Sequence, residues 1–171
     1  MLRQRIITGI VIAVVFFAAL FFLRPTDFSL AIACLVILGA WEWSNLSGFV
    51  GLLQRVCYLC LVLIALLLSA ALIGFPAVTA LDFNAGQTIL AYTVPWWAIA
   101  LLWVQGYPSS AILWGSRWIR AIMGILVLVP TWVAAVMLIH LDQGPWLVSF
   151  VVVLVATADI GAYFSGRRFG R

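Results

Sequence analysis

The sequence predicts an all-α, polytopic integral membrane helical bundle with about six transmembrane helices and a cytoplasmic N-terminus. Of its 171 residues, 67% are hydrophobic and 8% are charged, whereas an ordinary soluble domain carries about 25% charged residues. A soluble fold of this size could not cover so much apolar surface. The composition therefore excludes a soluble globular protein, a disordered chain and a nucleic-acid-binding module.

Six apolar segments are candidates for membrane spans. At a rise of about 1.5 Å per residue, each reaches across most of the hydrocarbon layer. They are apolar on every side, which is typical of membrane helices and not of alternating barrel strands. The segments are residues 6–23, 28–43, 56–75, 88–104, 121–139 and 146–164.

Short polar segments separate these spans. Residues 24–27 predict a tight turn, so the first two spans form a helical hairpin, and residues 140–145 predict a brief turn before the last span. Longer loops are expected between the other spans. Pro95 and Pro130 lie inside the fourth and fifth spans, where proline predicts kinks.

The arginines predict the orientation of the spans. With the N-terminus in the cytoplasm, Arg24 is the one arginine on the outer side. An excess of arginines on one side of the membrane predicts that this side is cytoplasmic. The same excess accounts for the net charge of +4 without a nucleic-acid partner. The inner arginines are Arg3, Arg5, Arg55, Arg117, Arg120, Arg167, Arg168 and Arg171.

The cysteine pattern does not predict a metal site. Cys57 and Cys60 form a single C-x-x-C pair, whereas a structural zinc site needs four ligands. The remaining candidates, Cys34 and His140, lie on other predicted spans. We therefore interpret the cysteines as small apolar side chains of membrane helices.

Among the nine basic and five acidic residues, only Glu42 and Asp159 lie inside the predicted spans. Acids within a membrane usually face the bundle or a wet cavity, and they merit a functional hypothesis. Glu42 lies between Trp41 and Trp43. This is typical of an interfacial aromatic belt with an acid that reaches the surface; the alternative is that Glu42 pairs with an arginine or shapes a polar cavity.

Asp159 has the more informative surroundings. At 100° per residue, Tyr163 lies about 40° and Gly166 about 20° from Asp159 around a helix. Arg167 and Arg168 follow on the cytoplasmic side. A carboxylate can hold Mg²⁺ and arginines can clamp phosphates, which favours phosphoryl or nucleotidyl transfer. An ordinary helix with a basic tail has the same appearance.

Three stretches resemble the bacterial phosphatidate cytidylyltransferases, also called CDP-diacylglycerol synthases. They are the Leu-Arg-Gln-Arg-Ile-Ile-Thr start at residues 2–8, the Gly-Ala-Trp-Glu-Trp segment at residues 39–43, and residues 158–170. The last stretch, from Ala158 to Gly170, is the most specific.

The resemblance implies an enzyme that transfers CMP from CTP to phosphatidic acid with the help of Mg²⁺, at the cytoplasmic face of the inner cell membrane. It implies that Asp159 is a catalytic residue and metal ligand. Tyr163, Arg167 and Arg168 would bind substrate phosphates beside it. Arg167 is expected to lie nearer than Arg168, because it is about 80° rather than about 180° from Asp159.

The resemblance also implies further motifs that the chain lacks. In the family, a Ser-Pro-x-Lys-Thr-x-Glu-Gly type loop and a later Lys-Arg…Lys-Asp signature follow. We therefore expect residues 1–171 to be a single transmembrane domain, the N-terminal part of a larger membrane enzyme whose catalytic C-terminal half is missing. By itself, this piece is expected to be inactive.

Three alternatives stay open at this point. A related CTP-dependent enzyme could act on another lipid or on a polyprenol phosphate, since nothing in these residues identifies the lipid tail. A small transporter or channel subunit would be expected to have acids near the bilayer midplane and two repeated halves in its sequence, and neither feature is visible. A non-catalytic scaffold subunit is the third. A homodimer is left open, and no nucleic acid or soluble protein partner is indicated.

Overall fold

The described part of the chain is built from α-helices. A computed structural model describes residues 2–76 and 81–170, and it describes only the helical backbone of residues 2, 3, 5 and 6. No strand occurs in these two ranges, so the predicted all-α class is confirmed. The elements there are α1 (Leu2–Phe22), α2 (Pro25–Ser47), α3 (Leu52–Leu72), α4 (Phe83–Ala91), α5 (Thr93–Gln105), α6 (Ala111–Trp114), α7 (Arg117–Ile139) and α8 (Gly144–Phe169).

The predicted spans coincide with long apolar helices. The helices α2, α3, α7 and α8 are each long and apolar enough to cross a membrane, and α4 with α5 makes a fifth such segment, Phe83–Gln105. The apolar part of α1, Ile7–Phe22, is shorter. Large apolar side chains stay exposed along these helices, among them Leu67 and Leu154. Soluble proteins rarely expose apolar surface of this extent, so these faces suit lipid.

Several predicted helix and loop boundaries were wrong by a few residues. Pro25 opens α2 instead of lying in a turn, because the first helical position does not need its missing N–H group. At its other end α2 continues to Ser47, so the loop expected at residues 44–55 shrinks to residues 48–51. The loop expected at residues 105–120 contains the short helix α6. The arginines 3, 5 and 171, which we counted for the orientation, have side chains outside the described part.

Gly48 sets the end of α2. Its φ angle is +86°, a conformation that glycine adopts without the clash of a Cβ atom. The N–H of Gly48 donates to the carbonyl of Asn45 at 2.9 Å, and the N–H of Phe49 donates to that of Ser44 at 3.1 Å. These two bonds form a Schellman motif, which satisfies carbonyls of the last helical turn.

The fourth predicted span is two helices rather than one. The break lies at Tyr92, between α4 and α5, and not at Pro95. Pro95 lies in the first turn of α5, where a missing backbone N–H removes no helical bond. By contrast, Pro130 lies inside α7, which runs unbroken from Arg117 to Ile139; a kink there stays a prediction.

The chain divides into two units, Met1–Phe28 with Leu138–Arg171, and Ser29–Met137. In the first unit, the rings of Phe21 and Trp146 meet edge to face with their centroids 5.1 Å apart. This contact joins α1 to α8.

The core of the second unit lies between α2, α3 and α7. The indole Nε1 of Trp132 donates to the carbonyl of Ser29 at 3.0 Å, joining α7 to α2. The Tyr58 hydroxyl donates to the carbonyl of Ala121 at 3.1 Å, joining α3 to α7. Each bond satisfies a polar atom that would otherwise be costly in an apolar interior. The apolar side chains buried around them include Val36, Ala40, Val62, Leu66, Val133 and Val136.

Gly124 of α7 lies close against α2 and α3. A Cβ atom placed there would overlap the Tyr58 hydroxyl and the Trp43 indole. Small residues at helix contacts let membrane helices pack this closely. The two hydrogen-bonding side chains of α2 and α3 therefore depend on the absence of a side chain at one position of α7.

We expect Gly124→Ala to destabilise the protein by about 1–3 kcal/mol, as overpacking of a well-packed core does. The Tyr58 and Trp43 side chains would both have to move. The measurement is the fraction of detergent-solubilised protein that stays monodisperse after heating. Gly9→Ala is the matched control, since an added Cβ atom meets nothing within 4 Å at Gly9. Equal thermal stability of the two variants would contradict the close approach.

Candidate functional site

The predicted site residues of the first unit lie on one continuous helix. Since α8 extends to Phe169, Arg167 and Arg168 belong to the same helical backbone as Asp159 and Tyr163. The phase of that helix places Tyr163 on the face of Asp159, and it places Arg167 nearer to that face than Arg168. The structure therefore places the four residues along one helix, with Arg168 on the side opposite Asp159.

The charged groups of this segment are available to a ligand. Asp159, Tyr163, Arg167 and Arg168 are all exposed. Within residues 2–76 and 81–170, neither the carboxylate of Asp159 nor the guanidinium of Arg167 has a hydrogen bond or an ion pair. The Arg168 guanidinium lies 5.8 Å from the ring centroid of Phe169. No described contact of Asp159 or Arg167 therefore has to break before these two groups bind something else.

The backbone beside Asp159 is also open. A Cβ atom added at Gly161 or Gly166 would meet no atom within 4 Å. Ala158 and Ala162 are exposed on the same stretch. Small residues at this spacing allow a second helix or a ligand to approach the backbone closely.

A metal ion at this segment would need ligands from elsewhere. In the described residues, no group of three His, Cys, Asp or Glu side chains is placed to hold a metal. Mg²⁺ is commonly bound by one or two carboxylates, with water and substrate phosphates completing its shell. The exposed carboxylate of Asp159 fits the role of one such ligand. Cys34, Cys57 and Cys60 are free thiols.

Glu42 lies in the second unit, near the end of α2. Its side chain is exposed, and its Oε2 accepts a hydrogen bond from Nδ2 of Asn45 at 3.4 Å. No arginine pairs with it in the part of the chain that the structure describes. The neighbouring Trp43 donates from Nε1 to the carbonyl of Arg120 at 2.8 Å, so this ring serves helix packing. A role for Glu42 in a polar cavity stays a prediction.

Two arginines that the sequence analysis used only for orientation bind the end of α2. Nη1 of Arg120 donates to the carbonyl of Leu46 at 3.1 Å, and Nε of Arg55 donates to that of Phe49 at 3.0 Å. Cations stabilise the C-terminal end of a helix, where carbonyls lack helical partners. Gly48 is the sequence signal for the end of α2. Arg55 and Arg120 come from α3 and α7, so no local sequence pattern could reveal that they bind there.

These two arginines leave positive charge uncompensated. Both are half-buried, and in the described ranges neither is paired with a carboxylate. The Nε atom of Arg120 and the hydroxyl of Ser47 are buried there without a hydrogen-bond partner. The Arg55 guanidinium lies 5.5 Å from the ring centroid of Trp41, a cation–π contact that does not neutralise it.

Comparisons with known proteins agree with the resemblance drawn from the sequence. A sequence model described as the cytidylyltransferase family matches residues 3–171. A phosphatidate cytidylyltransferase of Pseudomonas aeruginosa is 41% identical over 171 residues, which are 100% of this chain and 59% of that protein. A phosphatidate cytidylyltransferase of Haemophilus influenzae is 33% identical over 180 residues, with 100% of this chain and 62% of that protein covered. The chain thus spans about three fifths of the length of these curated relatives. No solved structure shows a significant match.

Proposed function

The chain belongs to the cytidylyltransferase family, and we propose that it is part of an enzyme that transfers CMP from CTP to phosphatidic acid. The products would be CDP-diacylglycerol and pyrophosphate. The observation that carries this proposal is the identity of 41% and 33%, over the whole of this chain, with two phosphatidate cytidylyltransferases. The chain aligns with 59% and 62% of the length of those relatives. The activity and the substrates belong to the whole enzyme, so for this chain they are part of the proposal.

In the proposed reaction, a phosphate oxygen of phosphatidic acid attacks the α-phosphorus of CTP. A new P–O bond forms, the bond from the α-phosphorus to the oxygen that bridges it to the β-phosphorus breaks, and pyrophosphate leaves with the bonding electrons. Both substrates and the leaving group are anions, so the site needs cations and hydrogen-bond donors. Arg167 and Arg168 would supply guanidinium groups that bind phosphate oxygens in pairs, and Tyr163 would add a hydroxyl donor.

Asp159 supports a place for Mg²⁺ in this proposal. A carboxylate repels a triphosphate, so an acid beside the arginines favours substrate binding only if a cation lies between the two anions. The open backbone at Gly161 and Gly166 leaves room for such an arrangement. Bound Mg²⁺ would neutralise phosphate charge and orient the phosphates, with Asp159 as one of its ligands.

We place the enzyme in the bacterial inner membrane, with the arginine-rich end of α8 in the cytoplasm, where CTP is available. The hydrogen bonds of Arg55 and Arg120 to the end of α2 support this orientation, because they gather arginines of the second unit at one end of its helices. The proposal includes a homodimer, which the exposed small residues of α8 would allow to pack closely.

A transfer assay tests the proposed activity. In a chimera, this chain would replace the aligned segment of the Pseudomonas aeruginosa relative, and membranes would receive labelled CTP, Mg²⁺ and phosphatidic acid. We expect labelled CDP-diacylglycerol from the chimera and from the unmodified relative, and none without phosphatidic acid. A correctly inserted but inactive chimera would contradict the proposal and would favour a transport or scaffold role.

In that chimera, Asp159→Asn is expected to lower the transfer rate at least about 100-fold, which is typical when one electrostatic contact of a transition state is removed. Insertion into the membrane should not change. The concentration of Mg²⁺ that gives half of the maximal rate should rise. Asp142→Asn is the matched control, since Asp142 is exposed in the turn between α7 and α8. A normal rate in the Asp159→Asn variant would exclude the metal role.

Cysteine labelling tests the orientation. In a chain without its three native cysteines, Arg117→Cys and Arg168→Cys should react with a membrane-impermeant maleimide only from the cytoplasmic side, because these arginines are held inside. Arg24→Cys should react only from the outer side. If Arg117→Cys were labelled from outside intact cells, the proposed orientation would be wrong.

A further inference from the structure

The connection between α5 and α7, residues 106–116, carries no charged side chain. The nearest charged residues along the chain are Asp82 and Arg117, so an uncharged stretch continues from the span Phe83–Gln105 through the whole connection. Turn residues fill its first half, and its second half is the Ala-Ile-Leu-Trp run of α6. Its composition therefore resembles that of the spans more than that of a polar loop.

The large apolar side chains of the connection are exposed. Ile112 is 86% exposed and Tyr107 is 65% exposed, and Leu113 is exposed as well. Apolar side chains that are exposed together mark a contact with a partner or with a membrane. The adjoining helices are also exposed and apolar where they meet the connection, at Val104 of α5 and at Trp118 of α7. The apolar surface of these two spans, which suits lipid, therefore continues onto the connection.

The connection folds back along α5 and α7 instead of projecting beyond their ends. The Ser110 hydroxyl donates to the carbonyl of Trp103, in the last turn of α5. Trp114 lines one cavity together with Ala100 of α5 and Met123 of α7. At about 1.5 Å per residue, Ala100 and Met123 lie about 7 Å and about 9 Å inside the ends of their helices. The second half of the connection therefore lies alongside the spans.

Turns within the connection satisfy part of its backbone. The N–H groups of Ser110 and Leu113 donate to the carbonyls of Gly106 and Ser110, at 3.0 and 2.9 Å. The rings of Tyr107 and Trp114 stack with their centroids 6.5 Å apart, which joins the two halves of the connection. Backbone groups that lack water must bond within the protein. These turns therefore allow the connection to lie at the boundary between lipid head groups and acyl chains.

The residue types around the connection also fit this boundary. Trp and Tyr are enriched at the membrane–water interface, because one end of each ring system is apolar and the other carries a polar group. Tyr107, Trp114 and Trp118 supply three such side chains. Arg117 follows at the start of α7, exposed and without an ion pair in the described ranges. A free guanidinium beside interfacial aromatic rings suits the phosphates of the lipid head groups.

We propose that residues 106–116 lie in the interfacial layer of the bilayer, with Ile112 and Leu113 among the first acyl carbons and Arg117 at the lipid phosphates. The partner of this surface is lipid. Both ends of the connection are fixed to membrane-spanning helices, which hold it at the bilayer surface, and its fold brings it back toward the acyl chains. In the orientation proposed above, this is the cytoplasmic leaflet. The insertion itself depends neither on that orientation nor on cytidylyl transfer.

Fluorescence quenching in liposomes tests the position of the connection. In a chain without its three free cysteines, Ile112→Cys carries a small fluorophore. Lipids with a nitroxide near the head-group end of the acyl chain should quench it at least about threefold more strongly than the same fluorophore at Asp142→Cys, because an interfacial segment buries its apolar side about 5–10 Å into this layer. Iodide on both sides of the membrane should show the opposite preference. Asp142 is the matched control, a charged and exposed residue in the turn between α7 and α8.

Leu63→Cys supplies a reference for depth, since Leu63 is exposed near the middle of α3. A nitroxide near the terminal methyl group of the acyl chain should quench the label at Leu63→Cys more strongly than the shallow nitroxide does. The label at Ile112→Cys should show the opposite order. The same order at both positions would place the connection in the hydrocarbon centre and would overturn the proposal.

Two other results would also overturn it. Equal quenching of the Ile112→Cys and Asp142→Cys labels by iodide would place the connection in water. Quenching of the Ile112→Cys label by neither nitroxide nor iodide would mean that protein, such as a second copy of the chain, covers this surface. Because none of these measurements records cytidylyl transfer, an inactive enzyme would leave the interfacial position standing.

Discussion

Backbone N–H and carbonyl groups within a bilayer must find their hydrogen-bond partners inside the protein, and the architecture of this chain follows from that constraint. Helices satisfy it along their length but not at their ends. The end of α2 therefore has a Schellman motif at Gly48 and guanidinium donors from Arg55 and Arg120. At the start of α4, the Asp82 carboxylate accepts a bond from the N–H of Ala85 at 2.9 Å.

The same constraint shapes the packing of the second unit. Tyr58 and Trp43 carry polar atoms into the contact between α2, α3 and α7, and each donates to a carbonyl near the start of α7. Those bonds require the helices to approach closely, which Gly124 allows. The hydrogen bonds that satisfy the end of α2 and the close packing at Gly124 thus lie at the same end of the unit.

The proposed catalytic segment, the second half of α8, is exposed, whereas the core of the second unit is closely packed. Along the second half of α8 the side chains are exposed, and Gly161 and Gly166 leave the backbone open. Asp159 and Arg167 have no partner in the described residues, whereas Arg55 and Arg120 are engaged in helix ends. Arg55 and Arg120 each donate a hydrogen bond to a backbone carbonyl near the end of α2, whereas groups that bind substrate phosphates must remain available. This contrast separates the two groups of arginines by their contacts.

The sequence by itself determined the membrane class, the helical spans and the grouping of Asp159 with Tyr163 and Arg167. These follow from composition, segment length and helical phase, which are properties of contiguous residues. Only the tertiary structure decided where α2 ends, what Arg55 and Arg120 bind, and where α7 packs closely against α2 and α3. The physical reason is distance along the chain: Arg120 reaches Leu46 and Tyr58 reaches Ala121 across 74 and 63 positions, and no local pattern encodes such contacts.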